Sequence, residues 1–226
     1  MFLPYGWVCS AVINSDSLSD PNGNSGLTTD AIMEGFYDAT RDVPMTISRE
    51  AMTVLGFLAT SSELRARHME VLWLDFHDIS GTPYVNAVFG AASQPIAGQI
   101  GFNHAEYQSF LTEWVEEKGF AIRQVESYLE GGKIRYAAII TEDDRPEQRA
   151  YHGHTTDMHE AEFLSARNDG LVPMNVSVVS LNGSRFYTAF YEKKAVKFQM
   201  RTQLTAEAYQ SAFDSFAAEG YHVVSL

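Results

Sequence analysis

Apolar residues recur at two spacings along this chain, and the two spacings alternate. In AEYQSFLTEWVEEKGF (105–120), Tyr107, Phe110, Leu111, Trp114 and Val115 follow the i, i+3, i+4, i+7 stripe of an amphipathic helix, and Gly119 is placed to stop it. In ESYLEGGKIRYAAII (126–140), apolar and polar positions alternate on either side of Gly131-Gly132, which predicts two strands joined by a tight turn. AEAYQSAFDSFAAEGY (206–221) nearly copies the helix, with Tyr209, Phe213 and Phe216 on its stripe and Gly220 at its end. TTDMHEAEFLSARNDGL (155–171) is a further version, with Met158, Phe163 and Gly170. ISREAMTVLGFLATSSELRARH (47–68) reads as a looser helix with Ser48 as its cap and His68 where the others carry the terminal glycine. Thr155 and Thr205 stand where N-caps are expected.

The whole unit repeats in strict register. Gly81, Gly132 and Gly183 are spaced 51 residues apart, and the strands after them, TPYVNAVF, KIRYAAII and SRFYTAFY, hold Ala87, Ala138 and Ala189 in one column. GWVCSAVI (6–13) places Ala11 in the same column. The strands before the turns hold Leu74, Val125 and Val176 in one column, and after a one-residue deletion Leu226 joins it. The expected fold class is therefore α+β: four pseudo-symmetric repeats of a helix plus a β-hairpin, each about 50 residues long. The chain starts with a lone second strand, Trp7–Ile13, and stops after a lone first strand, His222–Leu226. Pairing of these two would close a pseudo-fourfold ring and remove the exposed edges of an open array, which is the alternative. On this reading residues 1–226 form one repeat domain: a closing strand (1–13), a loop and extra helix (14–46), repeats at 47–100, 101–151 and 152–202, and a fourth helix with its closing strand (203–226). Within 14–46, the polar stretch NSDSLSDPNGNSG (14–26) precedes an expected helix from about Thr28 to Asp42, which Pro44 would end.

The tyrosine-containing helix with its Gly-aromatic stop, followed by a strand, a Gly-Gly turn and RYAA, resembles the bacterial tandem repeat domain, also seen in the N-terminal region of fungal polyglycine hydrolases. YQSF (107–110), Gly119-Phe120, ESYLEGGKIRYAAI (126–139), His152-Gly153 and AYQSAFDSFAAEGY (208–221) carry the resemblance, which spans roughly Ile47 to Leu226 and is weakest in the first unit. In polyglycine hydrolases the resemblance places such repeats beside a separate serine-hydrolase domain of β-lactamase type. The residues three positions before Lys118, Lys133, Lys193, Lys194 and Lys197 are Val115, Glu130, Phe190, Tyr191 and Lys194, so the Ser-x-x-Lys motif of that domain is absent from this sequence.

Composition narrows the function classes. With 226 residues, 45% of them hydrophobic, the chain is long enough to bury a sizeable core. A formal charge of −13 opposes binding to nucleic acid or to anionic membrane surfaces. Cys9 is the one cysteine in the chain, which excludes an intrachain disulfide and fits a reducing compartment such as the cytoplasm, while secretion stays open.

Candidate chemistry concentrates on one strand face. LWLDFHDIS places Trp73, Asp75 and His77 side by side, and the same columns hold Gln124, Glu126 and Tyr128, then Asn175, Ser177 and Val179. A carboxylate two residues from an imidazole could supply a general base or two metal ligands. The face is expected to meet either solvent or a shared cleft. In a cleft, Trp73, Asp75, His77, Glu126 and Tyr128, with Tyr84, Asn86 and Arg135 from the partner strands, would line a pocket. YHGHTTDMHE offers His152, His154 and His159 across a loop into a helix, at a spacing that matches no zinc signature, so neither a metal nor a cofactor is assigned. Tyr107, Phe110 and Trp114 are expected in the core, and Cys9 as a buried thiol. Two readings stay open: a noncatalytic recognition module binding a protein or glycan, and a small enzyme or small-molecule carrier with a pocket lined by Asp75, His77 and Glu126.

Overall fold

The structure is a computed structural model, and it describes residues 2–3, 6–7, 46–92, 94–143, 146–201 and 204–222. A two-residue strand β1 (Phe2–Leu3) pairs with β2 (Gly6–Trp7). The first unit then runs through β3 (Thr46–Thr53), α1 (Val54–Ala66), β4 (Met69–Ile79) and β5 (Thr82–Ala91). The second consists of β6 (Ile96–Phe102), α2 (His104–Leu111, continued by a π-helical turn over Thr112–Glu117), β7 (Ala121–Glu130) and β8 (Lys133–Thr141). The third consists of β9 (Gln148–His154), α3 (Thr156–Asn168), β10 (Leu171–Leu181) and β11 (Ser184–Lys193), and α4 (Ala206–Ala218) follows.

Each unit is thus strand, helix, hairpin, with a three-stranded antiparallel sheet in the order β3-β5-β4, β6-β8-β7 or β9-β11-β10. The columns read from the periodicity are cross-strand partners: Leu74 faces Ala87, Val125 faces Ala138 and Val176 faces Ala189. At the hairpin turn of each of these three units both central residues have positive φ, Ser80 and Gly81, Gly131 and Gly132, Asn182 and Gly183, which is the type I′ geometry that matches strand twist.

The strand opening each unit is a correction to the expected unit. Ile47 and Ser48 belong to β3, and α1 begins only at Val54, with the Thr53 hydroxyl accepting from the Gly56 amide as N-cap. Likewise Tyr151–His154 is strand, not loop. A bulge hides these strands, because Ala51, Gly101 and Gly153, all at positive φ, interrupt the alternation that would mark them. The divisions at 100/101 and 151/152 consequently fall inside β6 and β9, since a period does not set the phase of its unit. The expected helix at 28–42, the buried Cys9 and the closing pair Trp7–Ile13 with His222–Leu226 lie wholly or mostly outside the described residues.

His68 sits at φ 61, where the other helices have Gly119, Gly170 and Gly220 at φ 74, 75 and 87. A side chain in this left-handed conformation is strained. His68→Gly should therefore raise stability by about 0.5–1 kcal/mol, read as a higher urea midpoint.

Candidate functional site

Each sheet has two faces with different tasks. In the first unit Leu74, Val85, Ala87 and Phe89 pack with Phe57 and Leu64 of α1, and the same cluster takes in Ile100, Ala137 and Ile139 from the second unit. The second unit repeats this, with Val125, Tyr136 and Ala138 packed on Tyr107 and Leu111 of α2 and joined by Phe190 of the third. One face therefore receives the unit's own helix together with the back of the following sheet.

That back is the polar face on which the candidate residues lie, so in the second and third units much of it packs against the preceding unit instead of facing solvent. Gln124 is 7% exposed and Ser177 8%. Their side chains act as substitute backbone. The Leu74 amide donates to Gln124 Oε1 at 3.1 Å, and Gln124 Nε2 donates back to the Leu74 carbonyl. One unit on, the Val125 amide donates to Asn175 Oδ1 at 2.7 Å, and the Ser127 amide to Ser177 Oγ at 2.9 Å. These contacts link residues 50 apart in every case, so β4, β7 and β10 run side by side in the same direction and their three turns project at one end. The Asn175-Val-Ser177 triplet, a glycosylation pattern in isolation, is occupied by this junction.

The first junction also relies on close approach. A Cβ on Gly98 would lie 2.1 Å from Val71 Cγ1. Gly98→Ala should cost about 1–2 kcal/mol by overpacking, and its coupling to Val71→Ala in a double-mutant cycle should be favourable, measured by denaturant unfolding.

The candidate residues divide accordingly. Trp73, Asp75, His77, Tyr84 and Asn86 gather on the back of the first sheet, and Trp73 is 45% exposed. Asn86 Oδ1 accepts from the Ala51 amide at 2.9 Å, and its Nδ2 lies 3.4 Å from both Asp75 Oδ2 and His77 Nδ1. The His77 and Tyr84 rings are 5.9 Å apart. Tyr128 stacks on Phe76 across the first junction at 3.9 Å and is buried, while Arg135 pairs with Glu130 at 3.3 Å. Glu126 lies between units. Gln124 Nε2 donates to it at 3.1 Å, but burial pushes its carboxyl up to about 7, with Asp75 adding repulsion and Ser177, Gln124 and Asn175 opposing the rise.

Several informative residues were not singled out from the sequence as sites. Gln148 clamps Ile122 in the same bidentate way, 2.8 Å to both amide and carbonyl, and donates to the buried Glu192, which Lys194 meets at 2.9 Å. A clamp side chain carries no motif; its only trace is a polar residue within an otherwise apolar strand column. Tyr107 and Phe110 are core residues as expected, and Trp114 is partly buried against them.

The repeat phase seen in the structure agrees with a comparison of sequences. The profile described as polyglycine hydrolase-like, structural repeat matches residues 94–143, 145–194 and 195–226. The chain belongs to this repeat family. The first two matched segments enclose β6 to β8 and β9 to β11, so the polyglycine hydrolase-like repeat starts at the strand before the helix. The third covers α4, the start of a further repeat. No curated protein and no solved structure matches the chain. Among the described residues no helix is long and apolar enough to cross a membrane.

Proposed function

We propose that this chain is a noncatalytic recognition module in which four units close into a ring, and that the hairpin turns bind a protein or glycan. One observation carries the reading. The polar strand faces are spent on holding units together, whereas the parallel strands leave Ser80-Gly81, Gly131-Gly132 and Asn182-Gly183 together at one end, beside exposed Ile79, Lys133 and Arg185. Binding residues borne on loops over a rigid scaffold are a recurrent arrangement.

Three surfaces with no covering sheet among the described residues support closure. The back of the first sheet exposes Trp73, although its column-mate Gln124 is buried. At the other end Val176 is only partly buried, although Leu74 and Val125 are fully so. On α4, Tyr209 and Phe213 are 38% and 42% exposed, whereas Phe57, Tyr107 and His159 at the position of Tyr209 are at most 2% exposed. A fourth sheet made from the strand around Trp7–Ile13 and residues 222–226 would cover all three at once.

Binding to glycan and peptide arrays tests the module, comparing wild type with Ile79→Ser/Lys133→Ala/Arg185→Ala. Loss of a specific signal at unchanged melting temperature is the expected result. Signal unaffected by the substitutions would remove the turns as the binding surface, and turnover of a bound ligand would overturn the noncatalytic reading.

The contact of Asn86 with both Asp75 and His77 favours a second reading, a small-molecule site that Glu126 borders. Asp75→Asn and Glu126→Gln separate the two: loss of a ligand or activity without loss of thermal stability supports the pocket, and no effect on either removes it.

A further inference from the structure

The second and third units put different chemistry into the same three positions. Phe102 pairs with Tyr136 and His154 with the equivalent Tyr187, so Phe102 and His154 share a column. Counting from the N-caps Asn103 and Thr155, Tyr107 and His159 share the next, and two residues before Phe102 and His154 stand Ile100 and His152. Ile100 is an apolar wedge, buried in the first unit's core cluster. His152 occupies the corresponding place at the following junction. Its ring lies 4.3 Å from that of His104, 4.8 Å from Tyr107 and 4.9 Å from Tyr136, all of the second unit, and its Nε2 is 3.3 Å from the His104 carbonyl oxygen. Behind it, His154 stacks on Tyr151 at 4.2 Å and His159 on Tyr187 at 4.2 Å. The His159 Nδ1 is hydrogen-bonded to the Tyr151 hydroxyl, which lies 2.9 Å from that of Tyr191.

We propose that His152, His154 and His159 form an acid-sensitive latch: their protonation loosens the junction between the second and third units, while the junction wedged by Ile100 stays closed. The physical ground is that an imidazolium needs solvent or a carboxylate, and these sites are built from aromatic rings. Facing the three histidines are His104 and Tyr107 from α2, Tyr136 from β8, Tyr151 from β9, and Tyr187 and Tyr191 from β11. From α3 the Glu162 carboxylate favours the charged form of His154, but it is shared with Arg149 at 3.2 Å. Glu126 of β7, close to Ser177 in the same junction, works with the opposite sign because its carboxyl is held high.

Burial lowers all three imidazoles, His152 to about 4 with His104 pushing the same way. Their folded values lie below the unfolded one, so the stability they permit is complete above about pH 6.5 and is lost as pH falls toward 4. In a Glu126→Gln background, which removes that opposing carboxyl, opening of this junction should be about tenfold more frequent at pH 5 than at pH 7.4.

Hydrogen exchange of full-length Glu126→Gln protein at both pH values, corrected for intrinsic rates, tests this. The Ile122, Val125 and Ser127 amides, which donate across this junction, should lose about tenfold protection at pH 5, while the Leu74 amide, which donates across the first, keeps its own. In His152→Ile/His154→Phe/His159→Tyr, which installs the second unit's own residues, the loss should disappear. If that variant does not fold, the imidazole resonances of wild type decide: His152 titrating well below 6 agrees with the latch, and titration at the ordinary value overturns it. Unchanged protection of Ile122, Val125 and Ser127, equal loss at Leu74, or the same loss in the folded variant would also overturn it.

Discussion

Replacing Gln124 by leucine should cost about 2–4 kcal/mol of folding stability, because it strands both the amide and the carbonyl of Leu74 inside a junction from which water is excluded. The side chain is similar in size and leucine is more apolar, so a transfer argument alone would favour the substitution. The prediction of a loss rests on the two polar groups. Gln124→Asn provides the internal control. Asn175, the residue one unit on, accepts from the Val125 amide and bonds Glu126 through its shorter side chain, so Gln124→Asn should retain part of the clamp and lose less than Gln124→Leu. Urea unfolding gives the totals, and exchange of the Leu74 amide should accelerate in the leucine variant before global unfolding. Equal stability of wild type and Gln124→Leu would mean that the junction is not held by this pair.

Glu126→Gln is expected to do the reverse, and in a pH-dependent way. The carboxyl is held at about 7 in the folded protein against an ordinary 4.5, chiefly by burial. Its contribution is therefore fully present below about pH 4.5 and is lost as pH rises through 7. The glutamine variant has no such dependence. Its advantage over wild type should be small at pH 4.5 and grow to about 3 kcal/mol at pH 8. Taking the difference between the two proteins cancels the histidines, whose effect runs the other way below pH 6.5. Thermal melts across this range would show the curves separating as pH rises. Parallel curves would mean that Glu126 is solvated and its junction open.

Much of the fold was legible because the chain repeats itself. A single hairpin pattern such as ESYLEGGKIRYAAII is ambiguous about partners, but three copies in register identify the columns, and Leu74 with Ala87, Val125 with Ala138 and Val176 with Ala189 are cross-strand neighbours. The strands β3, β6 and β9 were not legible, because the bulges at Ala51, Gly101 and Gly153 break the alternation, and TISREAMT then runs into an apolar helix start without a visible boundary. The role of the polar face was misread for a different reason. A polar column on a strand normally means water, and Gln124, Asn175 and Ser177 instead satisfy backbone groups of the neighbouring unit. Pattern within one strand cannot distinguish a side chain bonded to solvent from one bonded to a carbonyl 50 residues away. The first-unit candidates Trp73, Asp75, His77, Tyr84 and Asn86 do come together, because one face of two paired strands is readable from period-two spacing alone.

In the proposed ring, the fourth unit is assembled from the two ends of the chain. There the column shared by Leu74–Ala87, Val125–Ala138 and Val176–Ala189 would put Leu226 opposite Ala11. In a Cys9→Ser background, Ala11→Cys with Leu226→Cys should therefore oxidise at low protein concentration to a monomer containing one internal disulfide, seen by mass spectrometry and as raised thermal stability. Two free thiols after oxidation, or cross-linking only between copies, would contradict closure and leave an open array.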